Sequence, residues 1–562
     1  MRTKLGRANR AYFHLIAAIA AASLVGLQAC GDDFENCAAT RTCPLGDEGG
    51  DGGDAPSHTG AMGGDRPSAG GSGTATSGSA GEASGIGGEP AGAFDVVSTT
   101  PGNSANGVER DAVVGLTFSS NVDAASVTTQ TVKLTGPSGD LEGKLKVDGA
   151  TVTFTPSKPF ALLADYQVTV APSVAASDGT KLGVVRHFDF QSRDGVFRKP
   201  QRLSSDKAIG LDLQGTRSGY AAVTWSDDRS PASPYATMFD PATASWSKVA
   251  PLESDTIKDY GSVSVCLNER GEAFASIGDI GLGAWSRWTG GAWTSVSASG
   301  VAQPRGCAVG DDGTVLTTWG DTVNNTSTAF TATLSPTNQW SSTKTLQTKA
   351  STGGVARFGD GFLVLHAREP AYQVFSQVLD AKGQWSTAVP ITLPGQAANY
   401  TSLSTIGTSA LYVWGDNMDR IQASLFDGTA WSTTDLGPAN LGKSTGGSSS
   451  GYLATWLYQG SAFAARYDAT EGWLEPAKLG PSHAEDFGPG AALDDAGNAL
   501  AVWPNGSKVS WKRSSHATLE WLDGEALDNQ DPMWATFATA AASGEVIVVW
   551  QNQLGVWTSR FE

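Results

Sequence analysis

A tryptophan recurs through the C-terminal part of the chain at intervals of 42 to 48 residues. It is followed six positions later by Leu or Ile at Trp246, Trp340, Trp385, Trp473 and Trp521, and Trp293 and Trp431 share this phase with looser endings. A fixed period in this range is typical of solenoids and propellers, and four short strands in each unit favour a propeller. The period therefore predicts an architecture and leaves the chemistry open.

Each repeat carries a second landmark, an alternating apolar strand that ends in or near tryptophan. These strands are Tyr220–Trp225, Val315–Trp319, Leu411–Trp414, Leu453–Trp456, Ala499–Trp503 and Val546–Trp550, and Ile277 and His366 take the same place in the two remaining repeats. Counting the landmarks predicts an all-β, eight-bladed propeller over residues 197–562. We expect its tryptophans to fill the space between neighbouring blades.

The predicted propeller lacks one outer strand at its C-terminal end. The sequence contains eight landmark strands but only seven outer tryptophan strands. Phe197–Leu203, on the N-terminal side, has the same spacing of an aromatic residue and Leu. We expect this segment to pair beside Val556–Phe561. Such pairing would close the ring with an N-terminal strand and remove two exposed sheet edges.

The N-terminus has the pattern of an export signal. Residues 1–29 contain four basic residues and no acid, and an apolar stretch runs from Ala11 to Leu27. The sequence Leu27-Gln28-Ala29-Cys30 resembles the lipobox of bacterial lipoproteins, which implies that residues 1–29 are a signal peptide and that Cys30 carries a lipid. Residues 30–93 are rich in Gly, Ser and Ala. They predict a disordered tether, because such a segment buries too little apolar surface to offset its ordering entropy.

Residues 94–194 predict a separate β-sandwich. Period-two apolar runs, punctuated by Gly, Pro, Asn and Asp, occur at 113–118, 131–134, 144–147, 151–154, 166–170 and 187–190. About seven short strands in roughly 100 residues are typical of this architecture, and Tyr166 lies where a tyrosine corner would be. The pattern from Leu116-Thr117-Phe118 through Tyr166 resembles the bacterial Ig-like domains of surface proteins. That resemblance implies a spacer that presents another unit.

Two further stretches carry a resemblance that covers most of the exported chain. Arg193–Phe197 matches the join between an Ig-like unit and a propeller in myxobacterial-type surface lipoproteins, and Gly497–Trp503 matches the core of their repeat. The chain is similar to these lipoproteins in the order of its parts. The resemblance implies attachment to the cell envelope and implies no established activity.

The charge of the chain makes some partners unfavourable. The formal net charge is −18, and an acidic surface repels phosphate backbones, so we expect no nucleic acid partner. After the export signal, no stretch is apolar for long enough to span a membrane. We therefore expect contact with the membrane through the N-terminal lipid.

Motifs for catalysis, metals and cofactors are absent from the sequence. The six histidines form no His-x3-His pair, and there is no Walker loop, Rossmann fingerprint or calcium loop. Gly447–Gly451 satisfies Gly-x-Ser-x-Gly, but it lies in a serine-rich loop rather than at the strand-to-helix elbow that this motif requires. We assign no catalytic residue, no metal and no cofactor, and the sequence favours a binding protein while leaving an enzyme open.

The remaining cysteines suit an oxidising compartment. Cys37 and Cys43 could close a small loop at the start of the tether. Cys266 and Cys307 lie 41 residues apart, in nearly matching phases of consecutive repeats, which places both on innermost strands of adjacent blades. They could form a disulfide, or they could remain two buried thiols if their strands stand farther apart than the ~4.4–6.8 Å Cα separation that a disulfide needs.

An acid or amide follows the landmark by two residues in six repeats, at Asp227, Asp279, Asp321, Asp416, Asn505 and Asn552. One interpretation is turn capping, because Asp and Asn accept hydrogen bonds from nearby backbone N–H groups. The other is that these residues ring one face of the propeller. Variable loops on a rigid frame would form a ligand surface there, and carboxylates would attract a basic or polyhydroxylated partner.

The sequence thus predicts an exported, lipid-anchored protein, periplasmic or surface-facing, that presents a propeller to a protein or glycan ligand. Two alternatives stay open: a glycan hydrolase or lyase with a site in the central funnel, and a scaffold for envelope assembly. An enzyme would need a close carboxylate pair, or an acid with a base, in that funnel. A binder needs only an exposed aromatic or polar patch.

Overall fold

The computed structural model describes residues 93–204, 206–229, 232–253, 262–279, 282–298, 306–323, 326–370, 372–483, 488–527 and 535–562. Within these ranges the chain consists of β-strands and one short 3₁₀ helix, Ala124–Ser126, with no α-helix, so no helix there could cross a membrane. The predicted signal segment, Cys30, Cys37, Cys43 and nearly all of the predicted tether lie outside the described residues.

The first folded unit consists of two sheets. One sheet has the order β1-β3-β7-β6, with strands β1 Val96–Thr100, β3 Val114–Phe118, β7 Thr151–Pro156 and β6 Gly143–Asp148. The other has the order β2-β9-β8-β4-β5, with strands β2 Ala105–Val108, β9 Arg186–Ser192, β8 Asp165–Val170, β4 Val132–Gly136 and β5 Gly139–Asp140. All pairs are antiparallel except β2 with β9. The six predicted apolar runs all coincide with observed strands.

A single apolar core holds these two sheets together as a sandwich. Val114, Leu116 and Phe118 alternate with less buried residues along β3, as expected for a strand with one face on the core. The hydroxyl of Tyr166 accepts a 2.7 Å hydrogen bond from the backbone N–H of Ala161, which is the contact of a tyrosine corner. Burial of the ring raises the pKa of Tyr166 above its usual value.

The second folded unit, residues 197–562, contains eight further sheets among its described residues. Sheet 1 contains β11 Ala208–Gly215, β12 Ala221–Asp227, β13 Pro234–Asp240, β14 Ser245–Trp246 and β15 Ala250–Pro251, and sheet 2 contains β16 Ser262–Leu267, β17 Ala273–Asp279, β18 Leu282–Thr289, β19 Ala292–Trp293 and β20 Ser297–Ala298. Sheet 3 contains β21 Gly306–Val309, β22 Val315–Val323, β23 Thr326–Leu334 and β24 Lys344–Thr348, and sheet 4 contains β25 Ala350–Phe358, β26 Gly361–Arg368, β27 Gln373–Leu379 and β28 Val389–Pro390.

Sheets 5 to 8 continue the same antiparallel order. Sheet 5 contains β29 Asn399–Ile406, β30 Ser409–Gly415, β31 Arg420–Phe426 and β32 Trp431–Pro438, and sheet 6 contains β33 Leu441–Ser448, β34 Gly451–Tyr458, β35 Ser461–Asp468, β36 Gly472–Trp473 and β37 Ala477–Pro481. Sheet 7 contains β38 Gly490–Leu493, β39 Ala499–Asn505, β40 Lys508–Ser514 and β41 Trp521–Asp523, and sheet 8 contains β42 Ala535–Ala540, β43 Val546–Asn552, β44 Gly555–Phe561 and β10 Gln201–Arg202.

The predicted landmark residue lies on the second strand of every sheet, where both faces are covered. All seven residues of β12 and of β43 are buried. The landmark ring stacks on an aromatic residue of the third strand in several sheets, with centroids 5.8 Å apart for Trp225 and Tyr235 and 5.9 Å apart for Trp456 and Phe463. Such offset pairs add to the stabilisation from burial alone, so the tryptophans serve the core.

The sheets form a closed ring. Each innermost strand neighbours the innermost strand of the next sheet, and β42 of sheet 8 returns to β11 of sheet 1. The outermost strand of sheet 8 comes from the N-terminal side, because Gln201 and Arg202 pair with Thr558 and Trp557, and Phe197 bridges to Phe561. The predicted pairing of 197–203 with the C-terminal strand is therefore present.

The Ig-like sandwich packs against sheets 7 and 8 of this ring. Leu162 is fully buried in a cluster of ring residues that includes Phe561 and Val546, and its backbone N–H donates 2.8 Å to Ser543 O. Glycine allows this approach, since a Cβ on Gly544, which has φ +89°, would lie 2.9 Å from the Leu162 Cβ. The ion pair between Arg110 and Glu545, 2.8 Å, borders the same contact.

Candidate binding face and central channel

The ring has two different ends, which the strand order defines. The hairpin face carries the turns between first and second strands, and the loop face carries the loops between second and third strands together with the connections between sheets. The contacts of the Ig-like sandwich described above, including those of Ser543 and Glu545, lie on the hairpin face. The loop face is the opposite end.

Two of the predicted ligand residues, Asp227 and Asp416, are buried turn caps. The carboxylate of Asp227 accepts from the backbone N–H of Ser233 at 2.9 Å and pairs with the Arg229 guanidinium. Burial would raise the pKa of Asp227, but these hydrogen bonds outweigh it and hold the pKa below its usual value. Asp416 accepts from Met418 N at 2.8 Å and from Gln422 Nε2 at 3.0 Å. The structure favours the capping interpretation for both.

The other four predicted residues differ from one another. Asn552 is fully buried, and its Oδ1 accepts from Leu554 N at 2.8 Å, as a turn cap does. Asn505 is half-buried and contacts the His483 ring at 3.2 Å. Asp321 is exposed and caps only Thr322 N, at 2.7 Å. Asp279 ends β17, and its side chain lies outside what the structure describes. The ligand-face interpretation stays a prediction for Asp279, Asp321 and Asn505, of which Asp321 has an exposed carboxylate.

The innermost strands enclose a central channel with a volume of about 1190 Å³. Each of these strands pairs on one side only, so its other edge turns backbone N–H and C=O groups toward the channel. Hydroxyl side chains add to the polar wall, and two of them, Ser402 and Thr445, lie 2.9 Å apart across neighbouring sheets. The channel therefore suits a polar ligand or water rather than an apolar one.

One acidic residue of the channel wall was not singled out from the sequence. Asp212 lies at a β-bulge in β11, and its Oδ2 accepts a 3.0 Å hydrogen bond from Val265 N of the next sheet. Enclosure in the wall raises the pKa of Asp212, because the charged form loses hydration. An acid between Leu211 and Leu213 in an inner strand was the available sequence signal. The hydrogen bond indicates that Asp212 joins two sheets.

The hairpin end of the channel carries the other charges of its described lining. Glu269 accepts from Ser218 N at 2.8 Å, and Arg217 pairs with Asp495. Arg357 pairs with Asp311 at 2.5 Å. Each of these groups therefore already has a hydrogen-bond or ion-pair partner at the mouth. Besides Asp212, the described lining contains the carboxylates of Glu269 and Asp360.

Cys266 and Cys307 form a disulfide between the innermost strands of sheets 2 and 3, with Cα atoms 5.8 Å apart. Both residues lie in the channel wall. Inner strands of adjacent sheets are close enough at this place for a covalent link. Within the described ranges there is no group of three or more His, Cys, Asp or Glu side chains arranged to hold a metal ion.

Exposed apolar side chains of the ring are concentrated on the loop face. Nine large apolar residues are exposed in the described part of the ring, and six of them belong to this face. The six are Ile209, Val323, Tyr372, Leu393, Met418 and Leu554. Sequence periodicity missed them because they lie in connections or at strand ends, where no repeat constrains the residue type.

Comparison with known proteins finds a family model that matches the first unit. Residues 91–192 match the family model of the bacterial Ig-like domain. No curated protein matches the chain. Similar solved structures, each with 9% identity, include AofleA from Arthrobotrys oligospora, which covers 66% of this chain and 87% of its own at a TM-score of 0.35. Virginiamycin B lyase from Staphylococcus aureus (65% and 100%, TM-score 0.34) and the WD40 repeats of RRP9 (65% and 100%, TM-score 0.36) are also similar.

Proposed function

We propose that the chain is an envelope-anchored binding protein whose ring is an eight-bladed propeller. In this proposal Cys30 carries the lipid, residues 30–93 form the tether, and the Ig-like sandwich holds the propeller away from the membrane. The ligand is a protein or a glycan that contacts the loop face. The protein is exported and lies on the periplasmic or outer side of its membrane.

The distribution of exposed apolar side chains supports this proposal. A soluble surface rarely concentrates such residues without a partner, because each exposed apolar group costs favourable burial. Here they gather on the end of the ring that faces away from the Ig-like sandwich. A ring of rigid sheets that carries variable loops at one end is a common way to build a binding surface.

Anchoring is tested by Cys30→Ser in the full chain. We expect this variant to appear in the soluble fraction or the medium, because the N-terminal lipid is the proposed link to the membrane. Mass measurement of the N-terminal peptide checks for the lipid. A Cys30→Ser protein that stays membrane-bound would contradict the anchor.

The binding face is tested by masking each end of the ring in turn. A cysteine introduced at exposed Ser507 on the loop face, or at exposed Thr243 on the hairpin face, is coupled to a polyethylene glycol chain. Binding to envelope extracts and to a glycan array is then measured. We expect the Ser507 conjugate to lose binding and the Thr243 conjugate to keep it. The reverse result would contradict the loop face as the ligand surface.

A further inference from the structure

Three exposed apolar side chains of sheets 4 and 5 lie on neighbouring segments of the loop face. Tyr372 is 47% exposed, Leu393 67% and Met418 69%. Tyr372 lies in the loop between β26 and β27, Leu393 in the connection to sheet 5, and Met418 in the turn between β30 and β31. They are called here the apolar patch. Its members come from three separate segments of the chain.

Hydrogen bonds fix these three segments to one another. The side-chain amide of Gln373, next to Tyr372, donates 2.7 Å to Thr392 O, next to Leu393. On the other side, Asn417 Nδ2 donates 3.4 Å to Gly395 O. The three segments are therefore neighbours, with the connection at 392–395 held between the other two.

The connection itself is also internally braced. The Thr392 hydroxyl accepts from Val374 N at 3.0 Å and donates to Gln396 O at 3.2 Å, and Gln396 N donates to Leu393 O at 3.1 Å. Tyr372 has φ +51°, a left-handed conformation that an aromatic residue adopts at a cost unless its surroundings impose it. The side chains are thus presented by a braced loop, so a partner would have little ordering entropy to offset.

The chemistry of the patch favours a protein partner. Tyr and Met are enriched at protein interfaces, and the flexible thioether of Met adapts to an irregular apolar surface. The exposed charge next to Met418 is acidic, because Asp419 is exposed and Arg420 is already paired with Asp435. Beside Tyr372, Glu369 is half-buried and Arg368 stacks on the Phe375 ring. The chain as a whole has a formal charge of −18. A basic surface with an apolar residue at its centre would complement both features.

We infer that the apolar patch binds a protein segment in which apolar side chains are flanked by Lys or Arg. This inference rests on the proposed binding function and narrows it to one class of ligand and one sector of the loop face. Tyr372 supplies the rigid aromatic anchor, Leu393 and Met418 supply the surrounding apolar area, and Asp419 attracts the basic flank.

The test uses a phage-displayed library of random linear peptides panned against the full chain. We expect the enriched peptides to combine apolar residues with Lys or Arg. Their affinity should fall roughly tenfold or more for Tyr372→Ser and for Leu393→Ser, as for central interface residues. Leu519→Ser and Leu522→Ser, at exposed apolar positions outside the loop face, are the matched controls and should bind as the unmodified chain does.

Two charge variants at Met418 distinguish a loss of binding from a loss of folding. Met418→Lys should weaken binding more than Met418→Glu, because the expected partner is basic, and thermal unfolding checks that both variants fold. Peptides without basic residues would overturn the inference, as would equal affinities for the patch and control variants. A glycan whose binding is lost in the patch variants, with no peptide enriched, would overturn the assignment to protein.

The proposed loop face and the proposed apolar patch would be contradicted by different results. If the enriched peptides are displaced by the polymer at Ser507 but tolerate the patch variants, the patch is wrong while the loop face stands. If they also bind normally to the Ser507 conjugate, the loop face itself is wrong.

Discussion

His366 provides a quantitative test of how the sheets are packed. It occupies the landmark position of β26, where most other sheets have tryptophan, and its ring stacks on Phe375 with centroids 5.8 Å apart. The side chain is 0% exposed. Neither ring nitrogen has a hydrogen-bond partner among the described residues. The imidazole therefore replaces an aromatic core residue and should be neutral in the folded protein.

The cost of protonating His366 follows from its pKa. Burial, with a smaller contribution from the charge of Arg368, lowers the pKa of His366 from 6.5 to about 4. Between these values the unfolded chain binds a proton that the folded chain does not, so this group destabilises the fold as the pH falls from 6.5 toward 4. At about 1.4 kcal/mol for each pH unit, the loss reaches about 3 kcal/mol near pH 4.

Other buried groups titrate in the same range, so the effect must be isolated by a variant. Burial raises the pKa of Asp494 to about 6, which makes the folded state the better proton acceptor there and changes stability in the opposite direction. His366→Phe keeps an aromatic ring stacked on Phe375 and removes the titration. His187→Phe, at an exposed position of the Ig-like sandwich, is the control.

Urea unfolding, followed by tryptophan fluorescence, should be measured for each protein at about pH 7.5 and about pH 4. We expect the unmodified chain and His187→Phe to lose about 3 kcal/mol more stability between these values than His366→Phe loses. Equal losses in all three proteins would refute the reasoning, because the imidazole would then have access to water or a polar partner.

The remaining predictions concern the disulfide, the N-terminal strand that closes the ring and the contact between the Ig-like sandwich and the ring. Replacing both Cys266 and Cys307 with Ser should cost roughly 4 kcal/mol, because the disulfide closes a 41-residue separation in the unfolded chain, and two alkylated thiols in the non-reduced protein would contradict the bond. Deleting 197–203 should lower stability by several kcal/mol or cause aggregation, since β44 would regain a free edge; unchanged thermal unfolding would count against closure. Leu162→Ala should cost about 2–5 kcal/mol and loosen the Ig-like sandwich from the ring, detectable as new protease cleavage near the joint, whereas exposed Val113→Ala should cost little.

Local periodicity was enough to predict the strands and their order. The eight landmark residues, including the atypical Ile277 and His366, all lie on second strands, because a strand that is covered on both faces needs an apolar or aromatic residue at that depth in each repeat. The pairing of 197–203 with the C-terminal strand followed from the same spacing. These sequence patterns are regular because the same positions are buried in every repeat.

Only the tertiary structure decided what the polar and surface residues do. Asp227 and Asp416 share a sequence position with exposed Asp321, yet both are buried caps whose partners lie in the loop and strand that follow, which differ from one repeat to the next. Leu162 belongs to the Ig-like sandwich by sequence but packs in the core of the ring. The segments that carry Tyr372, Leu393 and Met418 are neighbours because hydrogen bonds join them. Contacts between distant segments carry no signature in a single sequence, since no local repeat encodes which surfaces the folded chain brings together.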